Sequence, residues 1–295
     1  MGSLLTKVKL KMSIYAHQKV QGLLEGEYGS VFKGRSMDFD DLRQYVPGDD
    51  VKDIDWKATA RSGQTLIKRY IAIRKHNILL VVDTGRNMAA VGASGESKRD
   101  VTIMVAGLMG YIAQKHGDLV AMVSGDDEST TYLPLKGTNE HLERLLQHID
   151  KKTKLEAPLS NLAKQLDYIA RTIRRRMMIV IISDDIQVND DYERLLRRLG
   201  AQHELMWITV GDAGAGEKEL QGSQLYDVAD GTELPAFLLR NKKVATEFRE
   251  ASQQLTQETE KQLGRLRISS QRVVGEADAV NGLFKLLEKQ RYAKR

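Results

Sequence analysis

No cysteine occurs among the 295 residues, which excludes disulfides, thiolate metal sites and a cysteine nucleophile. No apolar run reaches the ~18 residues that a membrane-spanning helix needs. The opening residues, Met1 to Lys11, alternate apolar and basic side chains and lack both the apolar stretch and the small-residue cleavage site of a secretory signal. These absences place the expected location in the cytoplasm. The pattern Gly-x-x-x-x-Gly-Lys-Ser/Thr is also missing, so no P-loop cradles phosphate and any ATPase activity must come from another chain.

Charge of one sign is scarce in excess. Lysine and arginine number 45 against 40 acidic residues, a formal +5. The densest basic cluster, Arg171, Arg174, Arg175 and Arg176, closes a helical pattern, where cations complement the helix C-terminus. With no nucleic-acid reading motif, aromatic platform or basic stripe beside it, nucleic acid is not an expected partner. The six histidines show no ligand spacing, and His141 and His148 are expected to face solvent from one helix.

An apolar fraction of 41% and a sign-balanced charged fraction of 29% describe a globular chain able to bury one large core or two smaller ones. From Asn77 onward, strands and helices alternate. Asn77 to Asp83 and Met177 to Asp184 are continuous aliphatic runs of the kind covered on both faces in a parallel sheet, and Asp118 to Ser124 and Glu204 to Val210 resemble them. Between them, Leu142, Leu145, Leu146 and Ile149 keep a helical period, as do Leu159, Leu162, Leu166, Ile169 and Ile173, and Tyr192, Leu195, Leu196 and Leu199. Val101 to Ala113 is apolar nearly all round, the mark of a buried helix. The expected fold class is therefore α/β, a doubly wound, mainly parallel sheet. Residues 1–75 carry turn signals and no long helical period after Leu24, and are expected to form a β-rich or irregular N-terminal subdomain. A core over 76–212 and a C-terminal extension over 213–295 complete the division. The extension holds a glycine-spaced linker, a polar helix with Val244, Phe248, Leu255 and Leu263, and a last helix with Val280, Leu283, Phe284 and Leu287.

In an open parallel sheet, ligands bind beyond the carboxyl ends of the strands. Asp83 and Asp184 fall there, the first opening Asp83-Thr84-Gly85-Arg86-Asn87 and the second within Ser183-Asp184-Asp185. Carboxylates with neighbouring amide or hydroxyl oxygens suit a hard divalent cation. Aspartates that cap helices and turn the chain at strand ends are the competing reading.

An apolar strand ending in such a loop resembles the metal-ion-dependent adhesion site of von Willebrand A domains, whose pattern is Asp-x-Ser-x-Ser. Asp83 matches the aspartate, Gly85 stands at the first serine and offers no side-chain oxygen, and Asn87 stands at the second. Asp184 matches the later aspartate. The threonine of the motif's middle loop falls near Pro158, with Ser160 as a conceivable substitute. The resemblance implies a degenerate site in which Asp83, Asn87 and Asp184 hold Mg²⁺.

A longer pattern lies earlier. Phe39, Leu42-Arg43-Gln44-Tyr45, Pro47-Gly48-Asp49, Ile54-Asp55-Trp56 and Thr59-Ala60-Arg61 resemble, in order, the signature of the Domain-of-Unknown-Function 58 family. Asp38 and Lys52 depart from its usual glutamate and arginine. The resemblance extends through Asp83, Lys98, Gly117-Asp118 and Ser183-Asp184. Physically, Pro47 and Gly48 make a turn that presents Asp49. Arg43 and Arg61 can form bidentate pairs with carboxylates among Asp49, Asp50, Asp53 and Asp55. Tyr45 and Trp56 are expected to pack the segment against the sheet. The result is a clasp between subdomains or a docking surface for a partner.

The resemblance implies a non-enzymatic adaptor of the von Willebrand A type, working with a MoxR-type AAA+ ATPase on protein clients. The rival reading is a metal-dependent hydrolase or phosphotransferase built on Asp83, Asp184 and Asp185, with Asp126 and Asp127 on a neighbouring loop. A third is a structural or self-assembling module using the C-terminal helices, whose narrow apolar stripes are expected instead to pack on the same chain.

Overall fold

The computed structural model of the chain describes residues 2–15, 18–31, 38–71, 75–92, 94–211, 228 and 242–293. In chain order its elements are α1 (Leu4–Tyr15), α2 (Gln18–Val31), β1 (Asp38–Gln44), α3 (Trp56–Ser62), β2 (Leu66–Ile71), β3 (Asn77–Asp83), α4 (Lys98–Lys115), β4 (Leu119–Gly125), β5 (Thr130–Lys136), α5 (Asn139–Lys152), α6 (Leu162–Thr172), β6 (Met178–Ser183), α7 (Asp190–Gln202), β7 (Glu204–Val210), α8 (Lys242–Arg265), β8 (Ser269–Val273) and α9 (Glu276–Ala293). They form two compact units, one of Met1–Val31 with Asn77–Arg295 and one of Phe32–His76.

The larger unit is the expected doubly wound α/β fold. Its six-stranded sheet runs in the order β5-β4-β3-β6-β7-β8, and only the β4–β5 pair is antiparallel. Ile78 to Val82 of β3 are fully buried, as a strand covered on both faces must be. Leu79 and Val81 face one core with Leu166 and Ile169 of α6 and Leu196 and Leu199 of α7. Helix α4 crosses the other face beside α5 and α9, and all but a few of its residues are buried, in keeping with its unbroken apolar run. Among the described residues no helix is long and apolar enough to cross a membrane.

Three expectations change. Residues 4–31 are neither β-rich nor irregular: they are two helices belonging to the larger unit. In α1 the buried residues Leu5, Val8 and Met12 keep a helical spacing that the interleaved Lys7, Lys9 and Lys11 disguise as strand alternation. The helix docks where Gly107 of α4 has no side chain, since a Cβ there would come within 2.8 Å of Val8 Cγ2. Its first turn is capped from afar, with the Leu4 and Leu5 amides donating to the Glu143 carboxylate at 3.0 and 2.8 Å, where the helix dipole favours an anion. Helix α2 is tied down by Tyr28, whose hydroxyl donates to Asp118 at 2.7 Å.

The sheet also has two members beyond the four expected strands. Both β5 (TTYLPLK) and β8 (SSQRV) lie at its edges, where polar side chains and a proline are tolerated and the apolar signal is weak. The third helix starts at Leu162, and Leu159 lies outside it, 42% exposed. In the C-terminal extension, Leu263 of α8 and Val280, Leu283 and Leu287 of α9 are buried on the same chain, whereas Leu255 is exposed. The glycine-spaced linker and the side chains of Val244 and Phe248 lie outside the described residues.

Placing a carboxylate in the α1–α4 contact with Val8→Asp removes apolar packing and buries a charge. It is expected to cost roughly 3 kcal/mol, read as a lower urea midpoint. An unchanged midpoint would mean that α1 does not dock in solution.

Candidate functional site

Strand β3 pairs in parallel with β4 on one side and β6 on the other, and the connections leaving β3 and β6 run in opposite directions. A crevice therefore opens beyond their carboxyl ends, and Asp83 and Asp184 stand at its two sides. Asp83 is 1% exposed. Its Oδ1 accepts the Gly85 amide at 2.8 Å, the turn role that the competing reading assigned to it, but Oδ2 has no hydrogen-bond partner. Burial pushes the Asp83 carboxyl up from 3.8 to about 6; the Gly85 amide, the Ser160 hydroxyl and the Lys98 charge oppose the rise, and Asp126 adds to it.

Asn87, in the short 3-10 turn Arg86–Ala89, also carries a buried side-chain oxygen with no partner, and the buried Ser160 hydroxyl lies beside Asp83, whose ionised form it favours. Ser160 reaches the site because Gly85 leaves room for it. A Cβ at Gly85 would lie 2.5 Å from the Ser160 N and Cα and 2.6 Å from its Oγ. The side-chain oxygen missing at position 85 is thus matched by a hydroxyl delivered to the same place from the loop before α6. That loop is held by the Arg86 amide donating to the Pro158 carbonyl at 2.9 Å and the Asp127 amide to the Leu159 carbonyl at 2.8 Å.

Asp184, 5% exposed, faces the ammonium of Lys98, with Oδ2 3.7 Å from Nζ. Lys98 opens α4 and is itself 1% exposed. Sequence reasoning counted Asp184 as a metal ligand and did not see this partner, which sits 86 positions away. Tyr192 was also missed, because its spacing with Leu195 and Leu199 marks a core face. Burial, and then the charges of Asp83 and Asp184, raise its hydroxyl from 10 to about 12, opposed by the Ala163 amide. Among the described residues no three His, Asp or Glu side chains are grouped to hold a metal ion. A cation here would rest on Asp83 with the neutral oxygens of Asn87 and Ser160, a donor set that fits a hard ion.

The histidines do not face solvent as expected. His141 is 3% exposed with Nε2 3.1 Å from the Val120 carbonyl. His148 is half-buried, and its Nε2 lies 3.0 Å from Ser124 Oγ. Burial, then Lys152 and Lys151, holds the His148 ring below its ordinary pKa. Asp126 and Asp127 are engaged in their own loop: Asp126 accepts the Glu128 and Ser129 amides at 2.9 and 2.7 Å, and Asp127 pairs with Lys164 at 2.9 Å.

In the smaller unit, β1 and β2 form an antiparallel pair joined through the signature segment. Arg43 grips Asp49 bidentately at 2.7 and 2.6 Å, and Asp49 also accepts the Val46 amide at 2.9 Å. Gly48 takes φ +112°, a left-handed turn that suits glycine. Asp50 caps the 3-10 turn Val51–Asp53 through the Lys52 amide. Asp55 caps α3 by accepting the Lys57 and Ala58 amides, both at 3.0 Å. Tyr45 contributes its amide to the Thr65 carbonyl at 2.9 Å. Two expectations fail. Arg61 donates to the Lys57 carbonyl at 3.2 Å, one helical turn back, rather than to an aspartate. Trp56, at the first position of α3, is 65% exposed instead of packed down.

Residues 41–262 match the family described as Protein of unknown function DUF58. The chain belongs to this family. The matched DUF58 region takes in the signature from Leu42 to Arg61 and both strand-end aspartates. Uncharacterized protein Rv1480 of Mycobacterium tuberculosis is 30% identical over 205 residues, covering 68% of this chain and 63% of that relative. The chain thus spans under two thirds of that relative's length. Two of the solved structures similar to this DUF58 chain illustrate the likeness. One is the conserved hypothetical protein BatB from Bacteroides thetaiotaomicron, with 12% identity, coverage of 73% of this chain and 98% of the other, and a TM-score of 0.44. The other is von Willebrand factor type A from Catenulispora acidiphila, with 10% identity, coverage of 77% and 45%, and a TM-score of 0.42.

Because the Asp83 carboxyl binds its proton more tightly folded than unfolded, that contribution is fully present below pH 4 and is lost as pH rises through about 6. In chelator, Asp83→Asn should therefore gain on the wild type by up to roughly 3 kcal/mol between pH 4 and pH 7.5, measured by urea unfolding at both pH values. A constant difference would show that Asp83 is charged at both. In the smaller unit, Asp49→Ala is expected to speed hydrogen exchange at the Val46 amide, followed by NMR.

Proposed function

We propose that this chain is a non-enzymatic binding module that meets a protein partner at the carboxyl end of its parallel sheet. In this reading it works with a MoxR-type AAA+ ATPase on protein clients. The observation that carries the proposal is the convergence at that end of buried oxygens, Asp83 Oδ2 and Asn87 Oδ1 without hydrogen-bond partners of normal geometry and the Ser160 hydroxyl beside Asp83. An unsatisfied buried acceptor costs about 1–3 kcal/mol, so two in one crevice argue for something that completes them. Hard, mostly neutral oxygens suit Mg²⁺ with water and one further carboxylate. When bound, the cation supplies an attachment point for an acidic side chain of the partner.

The surroundings support contact with a protein surface. Leu155 and Leu159 on the loop before α6, Val91 after β3 and Val274 after β8 are 58%, 42%, 49% and 40% exposed. Apolar side chains around a polar centre are the composition of a protein interface. The smaller unit has its own exposed apolar side chain, Trp56, and tryptophan is enriched among the residues that dominate binding energy. The hydrolase reading has no comparable support. Ser124, the serine that meets a histidine, is fully buried, and Asp126 and Asp127 are engaged in their own loop.

Two measurements test the proposal. Calorimetric titration with Mg²⁺ or Mn²⁺ should give binding in the wild type that is lost in Asp83→Ala. Immobilised MoxR-type ATPase should capture the wild-type chain, and Leu159→Asp should weaken capture tenfold or more with an unchanged circular dichroism spectrum. Equal capture of both forms would reject this face as the contact.

A further inference from the structure

Lys98 occupies a position that elementary electrostatics disfavours twice. Its ammonium is removed from water, at 1% exposure, and it opens α4, where the helix dipole repels a cation. What offsets both costs is Asp184, with Oδ2 3.7 Å from Nζ. The charge also reaches Asp83, whose ionised form it favours. The Lys98 side chain passes close to Gly92, where a Cβ would sit 3.3 Å from its Cγ and 3.1 Å from the Gly211 carbonyl. The lysine backbone is pinned as well, its amide donating to the Ala90 carbonyl at 2.9 Å. The crevice between β3 and β6 therefore has a cation of its own, built into the chain beside the oxygens that would receive a metal.

We infer that Lys98 is the residue that sets the cation affinity of this site, by occupying Asp184 and opposing a second positive charge. The inference rests on the proposed cation site and specifies its regulation. With Asp184 neutralised by Lys98, Asp83 is the carboxylate left for an incoming ion. A divalent cation is then held weakly by the chain alone and firmly once a partner adds a carboxylate. Metal and partner bind cooperatively, each raising the affinity for the other by the same factor. The site takes free Mg²⁺ weakly and Mg²⁺ together with an acidic protein segment firmly.

The test is a double-mutant cycle on the whole chain, with Mn²⁺ binding followed by electron paramagnetic resonance of the free ion. Lys98→Met should bind Mn²⁺ on the order of tenfold more tightly than the wild type. Asp184→Asn should bind more weakly, and the double variant should return close to the wild-type value because the paired charges leave together. A folded Lys98→Met with unchanged or weaker affinity overturns the assignment. Should Lys98→Met fail to fold, the comparison of Asp184→Asn with the double variant decides: tighter binding by the double variant supports the role of Lys98, and equal binding overturns it. A separate outcome is that neither the wild type nor any variant binds more Mn²⁺ than Asp83→Ala. That would overturn the cation site itself, and this inference with it, whereas binding indifferent to Lys98 would overturn the inference alone.

Discussion

Charged groups taken out of water at the carboxyl ends of β3 and β6 impose the constraint around which the larger unit is arranged. A parallel sheet covered on both faces must be apolar along its strands, so polar chemistry is driven to the strand ends, and here Asp83 and Asp184 arrive there together. Each carboxylate needs compensation. Asp184 receives the Lys98 ammonium from the first residue of α4. Asp83 receives the Gly85 amide on one oxygen and leaves the other unsatisfied. The loop carrying Ser160 closes over this point because Gly85 leaves the space.

The same logic accounts for the layers around the sheet. Helix α4 is buried nearly all round because four helices besides the sheet cover it: α1 through the gap at Gly107, α5 and α9 beside it, and α2. The N-terminal helix belongs to the core of the larger unit although the smaller unit intervenes in the chain. The Glu143 carboxylate at its first turn and the Tyr28–Asp118 hydrogen bond after it fasten the segment at both ends.

Much of the architecture was legible in advance. The aliphatic runs at Asn77 and Met177 became central strands, and the helical periods at Leu142, Leu166 and Leu196 became the buried faces of α5, α6 and α7. The signature from Leu42 to Arg61 pointed to a tight turn and a charge network, and Arg43 with Asp49 forms it. What escaped was carried by weak local signals. Strand β8 reads as polar because an edge strand need not be apolar, and α1 reads as alternation because lysines separate its buried positions. Trp56 and Arg61 were assigned by residue type alone, yet the start of α3 turns the first to solvent and the last turn of α3 binds the second to its own backbone.

By itself the sequence determined the alternation of strands and helices, the continuous burial of β3 and β6, and the arrival of an aspartate at the end of each, because these follow from local periodicity and strand length. The partners those aspartates meet were decided only by the tertiary structure. Lys98 lies 86 positions before Asp184 and Ser160 lies 75 after Gly85; the resemblance took in both residues, but no local spacing tells which aspartate or loop each one meets. Such pairings depend on which loops converge at the switch point of the sheet, a property of strand order that no local spacing encodes.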